Sequence, residues 1–195
     1  MSDNIYEAPK ADLVSTDTAT DEFFTLSLRK LWIMNIVTIG IYSVVWFWAH
    51  WRQVKVSEKS DLWPVPRAIF AIIFVYPLFM RIEASLGIKE QATSFKAGQF
   101  ALLYILAALL GYGVNFIDET DPTMLLLGTL TWIPSLLLGT FCMSRAQVEA
   151  NNLSVDLEQN INNSFTIWNY LWLLLGGLMW LLTLIGLFAT ITGLE

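Results

Sequence analysis

The chain has 195 residues, 55 % of them hydrophobic and only 14 % charged, with a mean hydropathy of +0.55, whereas an ordinary soluble domain carries about 25 % charged residues. A formal net charge of −6 leaves no basic face to neutralise phosphates, which excludes nucleic acid as a partner. One cysteine, Cys142, and one histidine, His50, exclude an internal disulfide and the usual zinc sites, so neither a metal nor any other cofactor is expected.

Residues 1–22 are acidic and poor in bulky apolar side chains, and cannot bury enough surface to offset the entropy of ordering. They read as a disordered acidic tail without the basic start and apolar core of a signal peptide. Within it, "IYEAPKADL" presents Tyr6 and Pro9, a short segment suited to docking on a protein partner in extended form. The membrane domain is expected over residues 23–195.

Residues 31–51 form the first hydrophobic segment. It is uncharged and long enough to span, but Thr38, Gly40 and Ser43 interrupt its middle and Trp46, Trp48 and Trp51 crowd one end like an interfacial aromatic belt. The second, 65–81, holds only thirteen uncharged residues between Arg67 and Arg81 and contains Pro77. That length gives roughly 20 Å of helix against a hydrocarbon core of about 30 Å. Either segment can be read as spanning or as re-entrant. Three further segments, 97–117, 123–144 and 166–192, meet the length and apolarity of transmembrane helices, with a kink expected at Pro134. The fold class is therefore all-α, a polytopic transmembrane helical bundle of three spans plus two early hydrophobic segments.

The distribution of Lys and Arg sets orientation. The acidic loop "DETDPT" carries neither and belongs outside, which places the N-terminus in the cytoplasm. If both early segments span, seven basic residues lie inside against four outside; if both re-enter, all eleven lie inside. A chain of this kind is expected in a cell inner membrane.

No nucleophile elbow, Walker loop or H-E-x-x-H motif occurs, so no catalytic residue is assigned and the chain is not read as an enzyme. The three later spans carry no ionisable side chain of the kind that marks proton-coupled transport, although Gln99, Asn115, Thr131 and Asn169 could line a path. Small residues such as Ala107 and Gly111 permit close helix packing, within one chain or between copies in a homo-oligomer. Arg29, Lys30, Trp46, Trp48, Trp51 and Arg52 would form a basic, aromatic cytoplasmic face suited to anionic lipid or a partner.

The stretch "FFTLSLRKLWIMNIVTIGIYSVVWFWAHWRQVK", followed by "PRAIFAIIFVYPLF", resembles small bacterial membrane proteins of the domain-of-unknown-function 4234 family, with a T-x-G-x-Y-x-x-x-W-F element at Thr38, Gly40, Tyr42 and Trp46. The Gln147 to Asn151 stretch and "NNSFTIWNYLWLLLGGLMWLLTLIGLF" are similar to the closing part of such proteins, and "IYEAPKAD" to a start common among small bacterial membrane proteins. The resemblance implies an integral protein of the bacterial inner membrane and transfers no activity to any residue. The expectation is a non-catalytic multi-pass membrane component that binds a protein or lipid partner; the alternative is a small oligomeric transporter or channel.

Overall fold

The computed structural model describes residues 21–91, 93–116 and 122–192. The tail over 1–20 and the acidic loop at 118–121 fall outside them. Among the described residues the chain is helical, with α1 Leu28–Val37, α2 Tyr42–Ser57, α3 Pro64–Ile69, α4 Ala71–Ile88, α5 Ala97–Gly113, α6 Pro122–Asn152, α7 Leu157–Asn160 and α8 Ile167–Thr192. A 3-10 turn, Val114–Phe116, closes α5. No strand occurs among these residues, only an isolated parallel bridge between Leu26 and Asn162.

Among the described residues, three helices are long and apolar enough to cross a membrane: Ala71–Ile88, Leu126–Asn152 and Ile167–Ala189. The protein is an all-α, multi-pass membrane protein. The segment expected over 97–117 is a helix of 17 residues, or about 26 Å. The segment expected over 65–81 is not one helix. Phe70 breaks it (φ −94°, ψ 41°), and α4 then runs 18 residues through Pro77, Arg81 and Glu83. Arg81 did not end the helix because its charge is met laterally: it pairs with Glu58 and lies 5.8 Å from the Trp51 ring. The polar stretch after Ser144 extends α6 to Asn152, and α6 continues through Pro134.

The first hydrophobic segment is bent. Its two halves, α1 and α2, are separated at 38–41, and α1 with 10 residues covers only about 15 Å, half a hydrocarbon core. The core lies where α2, α4, α5 and α6 meet and is largely aromatic: Trp46, Phe47, Trp51, Phe79 and Phe95 are buried. Trp46 meets Phe47 and Phe79 edge to face, and Phe95 stacks on Phe100 at 5.3 Å. Asp21 and Glu22, the last residues of the expected tail, are tied down. The Asp21 carboxylate accepts from Ser154 Oγ, Val155 N and Asn160 Nδ2, and Glu22 accepts from Ser85 Oγ.

Helix α8 is attached differently. Only 6 % of its apolar window is buried, against 33 % for α4 and 28 % for α6, so the rest of the described chain leaves most of its surface uncovered. It docks on the end of α1. A Cβ at Gly176 would collide with Val37 O, and Trp180 Nε1 donates to Ile36 O at 2.9 Å.

Candidate functional site

The bend owes its shape to the residues of the Thr38, Gly40, Tyr42, Trp46 element. Helix α1 ends in a Schellman-type turn: Gly40 N donates to Asn35 O at 2.7 Å and Ile39 N to Ile36 O at 3.1 Å, with Ile39 at φ 55° and Gly40 at φ 83°. Gly40 adopts that conformation without the steric penalty that a side chain would bring. The Thr38 hydroxyl joins the two helices, donating to Met34 O at 2.7 Å and accepting from Tyr42 N at 3.0 Å. Threonine here closes one helix and opens the next, which gives the motif a physical reason. Tyr42 and Trp46 then point inward and are buried.

On one side of the bend lies a buried polar network. Gln147 Oε1 accepts from Trp46 Nε1 at 2.6 Å and lies 3.1 Å from His50 Nε2; its amide nitrogen donates to Phe24 O and to Asn151 Oδ1. Asn151 in turn accepts from Leu26 N and donates to Leu26 O. Gln147 and Asn151, one turn apart on α6, thus stitch α2 to the segment before α1. His50 Nδ1 is buried without a hydrogen-bond partner.

His50 lies outside the three long helices, and burial lowers its pKa from 6.5 to about 4. The folded state then binds fewer protons than the unfolded one between those values. Its contribution to stability is complete above pH 6.5 and is lost as pH falls toward 4. The unfolding temperature of the solubilised protein is expected to drop on acidification through this window, and to drop less in His50→Gln. An equal loss in both would place the acid sensitivity elsewhere.

On the other side of the bend lies a cavity of about 570 Å³ between residues 35–44, α5 and α6. Its mouth is formed by Ile41, Val44, Tyr112 and Met124, which are exposed, apolar or aromatic side chains. Its floor is polar and buried. Asn35 is 2 % exposed, and its Nδ2 donates to Thr140 Oγ1 at 2.7 Å while Thr140 Oγ1 donates to Leu136 O. Because the threonine proton is already engaged, the amide must present its nitrogen there. Asn35 Oδ1 is left buried without a partner. Ser43 lies within hydrogen-bond reach of the Tyr104 hydroxyl. Among the described residues, no Asp, Glu, Lys, Arg or His lines the space.

The six residues expected to meet lipid or a partner do not form one face. Trp46 and Trp51 are fully buried, Trp51 with Arg67 4.4 Å from its ring. Lys30 is 2 % exposed and its ammonium donates to Asn162 Oδ1 and Ser164 O. Burial without a carboxylate partner lowers its pKa. Arg29, Trp48 and Arg52 are exposed, and Arg52 lies 5.4 Å from the Trp48 ring. The polar residues considered for a path are likewise dispersed: Gln99 is exposed, Thr131 donates to Leu127 O, and Asn169 accepts from Thr166 at the start of α8. The side chain of Asn115 lies outside the described set. Asn35, Gln147 and Asn151 were not singled out as site residues; Asn35, a lone amide within an apolar run, was a visible signal, whereas Gln147 and Asn151 lie in a polar stretch noted only for the resemblance.

Searches against models of protein families, curated proteins and solved structures found no match. The resemblance to the 4234 family therefore rests on the quoted motif residues.

Proposed function

We propose that this chain is a non-catalytic component of a bacterial inner membrane, with its N-terminus in the cytoplasm, that holds a lipid partner in the cavity beside the Thr38–Ile41 bend. The observation that carries the reading is the combination of an apolar, exposed mouth with a polar, buried floor. A cavity of this size falls in the range of about 300–1,000 Å³ typical of ligand sites, and its mouth opens among side chains that suit acyl chains. Arg29, Arg52 and Trp48 supply a second, weaker contact, with headgroups at the cytoplasmic surface.

The test is lipid retention. Gly111 lines the cavity, and a Cβ there meets only Ser135 Cβ at 3.6 Å, an ordinary contact. Gly111→Leu should fill the space without opening the bundle. Mass spectrometry of protein extracted in native lipid discs should show a lipid retained by the unaltered chain through detergent exchange and lost from the variant. Equal retention in both would defeat the reading.

A further inference from the structure

We infer that α3 and α4 form a lipid-contact surface that lies in the cytoplasmic leaflet without crossing the bilayer, and that α1 and α2 beside them make a hairpin that enters from that side and returns to it. The contact is an exposed apolar ridge from Trp63 to Tyr76. It is a different surface from the cavity and does not depend on what the cavity holds.

Helix α6 serves as a ruler for depth. The chain enters α1 beside the end of α6, where Asn151 bonds both main-chain groups of Leu26. At the other end of α1, Asn35 meets Thr140, and a Cβ at Gly40 would lie 3.2 Å from Leu136. That excursion covers about 16–22 Å of α6, short of a hydrocarbon core of about 30 Å. Helix α2 then comes back: Trp46 and His50 meet Gln147, and Gln53 Nε2 donates to the main-chain oxygen of Asp21, whose carboxylate holds Ser154. Both arms of the hairpin open at the same end of α6. Irregular backbone at membrane depth requires cover by protein, and here Leu136 of α6 and Gly176 of α8 press against the tip and the end of α1.

Helix α4 stays at that end over its whole length. Phe74 in its first turn packs on Trp51, and Phe79 in its middle on Trp46. Near its end Ser85 bonds Glu22, and Lys89 just beyond donates to Leu153 O. Its relation to α5 agrees. Tyr76, Phe79 and Glu83 span about 10 Å of α4, yet they meet Gly98, Phe95 and Ala97, all within or just before the first turn of α5. A helix running beside α5 through the bilayer would meet successively deeper residues. Helix α4 crosses the end of α5 instead.

Charge and apolar surface point the same way. Every Lys and Arg among the described residues lies in these early segments, in the connection to α5 or in the last two turns of α6, which marks this end as cytoplasmic. From Trp63 to Met80 the one charge is Arg67, and its guanidinium lies over the Trp51 and Phe74 rings at 4.4 and 5.0 Å. The side turned outward is apolar: Trp63 is 74 % exposed and Ile73 63 %, with Val65, Ile69 and Phe70 between them. An uncharged ridge of this kind, level with the cations that mark the headgroup boundary, fits the upper acyl region of the leaflet.

Two measurements on the full chain in a Cys142→Ser background test this. In intact spheroplasts, Asp61→Cys, Ser94→Cys and Val155→Cys should resist a membrane-impermeant maleimide and react once the membrane is permeabilised. Glu119→Cys, in the acidic loop expected outside, should react in both. If one early segment crosses, Ser94→Cys is labelled; if both cross, Asp61→Cys is. Either result, or protection of Glu119→Cys, would overturn the placement. In phosphatidylcholine vesicles, a fluorophore on Ile73→Cys should be quenched more by lipid spin-labelled near the headgroup than by lipid labelled near the acyl terminus. The same fluorophore on Leu137→Cys, exposed midway along α6, should show the reverse. Deep quenching at Ile73→Cys would mean that α4 crosses, and quenching by neither lipid would mean that a second copy, another protein or water covers the ridge; each would overturn the inference.

Discussion

Gln147→Leu should lower the stability of the solubilised protein by about 3–5 kcal/mol, a large share of the roughly 5–15 kcal/mol available to a folded domain. The substitution keeps most of the volume and removes all four hydrogen bonds of the amide. Trp46 Nε1 then remains buried without a partner, the half-buried Phe24 O loses its donor, and Asn151 and His50 each lose one bond. Unpaired buried groups cost about 1–3 kcal/mol each, more than the bonds themselves contribute. The loss should be partly recovered by Trp46→Phe in the same chain, because that change removes one orphaned donor. Purely additive effects in such a double-mutant cycle, read by denaturant unfolding in mixed micelles, would show that the two side chains are not coupled.

Gly176→Leu is expected to release α8 from the bundle, at a cost of about 3 kcal/mol. At this position the obstacle is main chain, not a side chain that can swing aside: Val37 O, Val37 C and Thr38 Cα all lie within 3.0 Å of where a Cβ would stand. Helix α8 must move outward, which breaks the Trp180 bond to Ile36 O. Gly177, one residue on, meets nothing within 4 Å, so Gly177→Leu is the matched control. Amide hydrogen exchange over α1 should be unchanged in the control and faster in Gly176→Leu, since α1 loses its α8 cover. Similar exchange in both would mean that α8 docks by contacts other than this close approach.

Much of the scaffold was legible because apolar runs and charged connectors are local properties of sequence. The three later segments emerged as α5, α6 and α8, and the Thr38 to Gly40 interruption became a bend because glycine and threonine carry specific conformational and capping preferences. Where the reading stopped short, charge was the reason. Arg81 was taken as the end of a segment, yet a guanidinium that finds Glu58 and the Trp51 face can sit partway along a helix. The aromatic, basic cluster misled in the opposite sense. Trp46, Trp48 and Trp51 look alike in sequence, but helical spacing turns Trp46 and Trp51 to the core and Trp48 outward. The polar network and the cavity floor were the least legible parts, since Gln147 meets Trp46 across 101 positions and Asn35 meets Thr140 across 105. Pairing at that range leaves no local pattern to read.

The way α1 is completed bears on how the chain is made. Its lysine is met by Asn162 and Ser164, its entrance by the Leu26–Asn162 bridge, and its last carbonyls by Gly176 and Trp180, 144 positions later. At a synthesis rate of about 5–20 residues per second, α1 waits roughly seven to thirty seconds for the docking residues of α8 to emerge. During that interval a buried-type lysine and two tightly approached carbonyls have neither water nor their native partners assured. Assembly cannot proceed from front to back. Helix α8 acts as the closing stone of an arch, and any lesion that delays or removes it is felt first at α1.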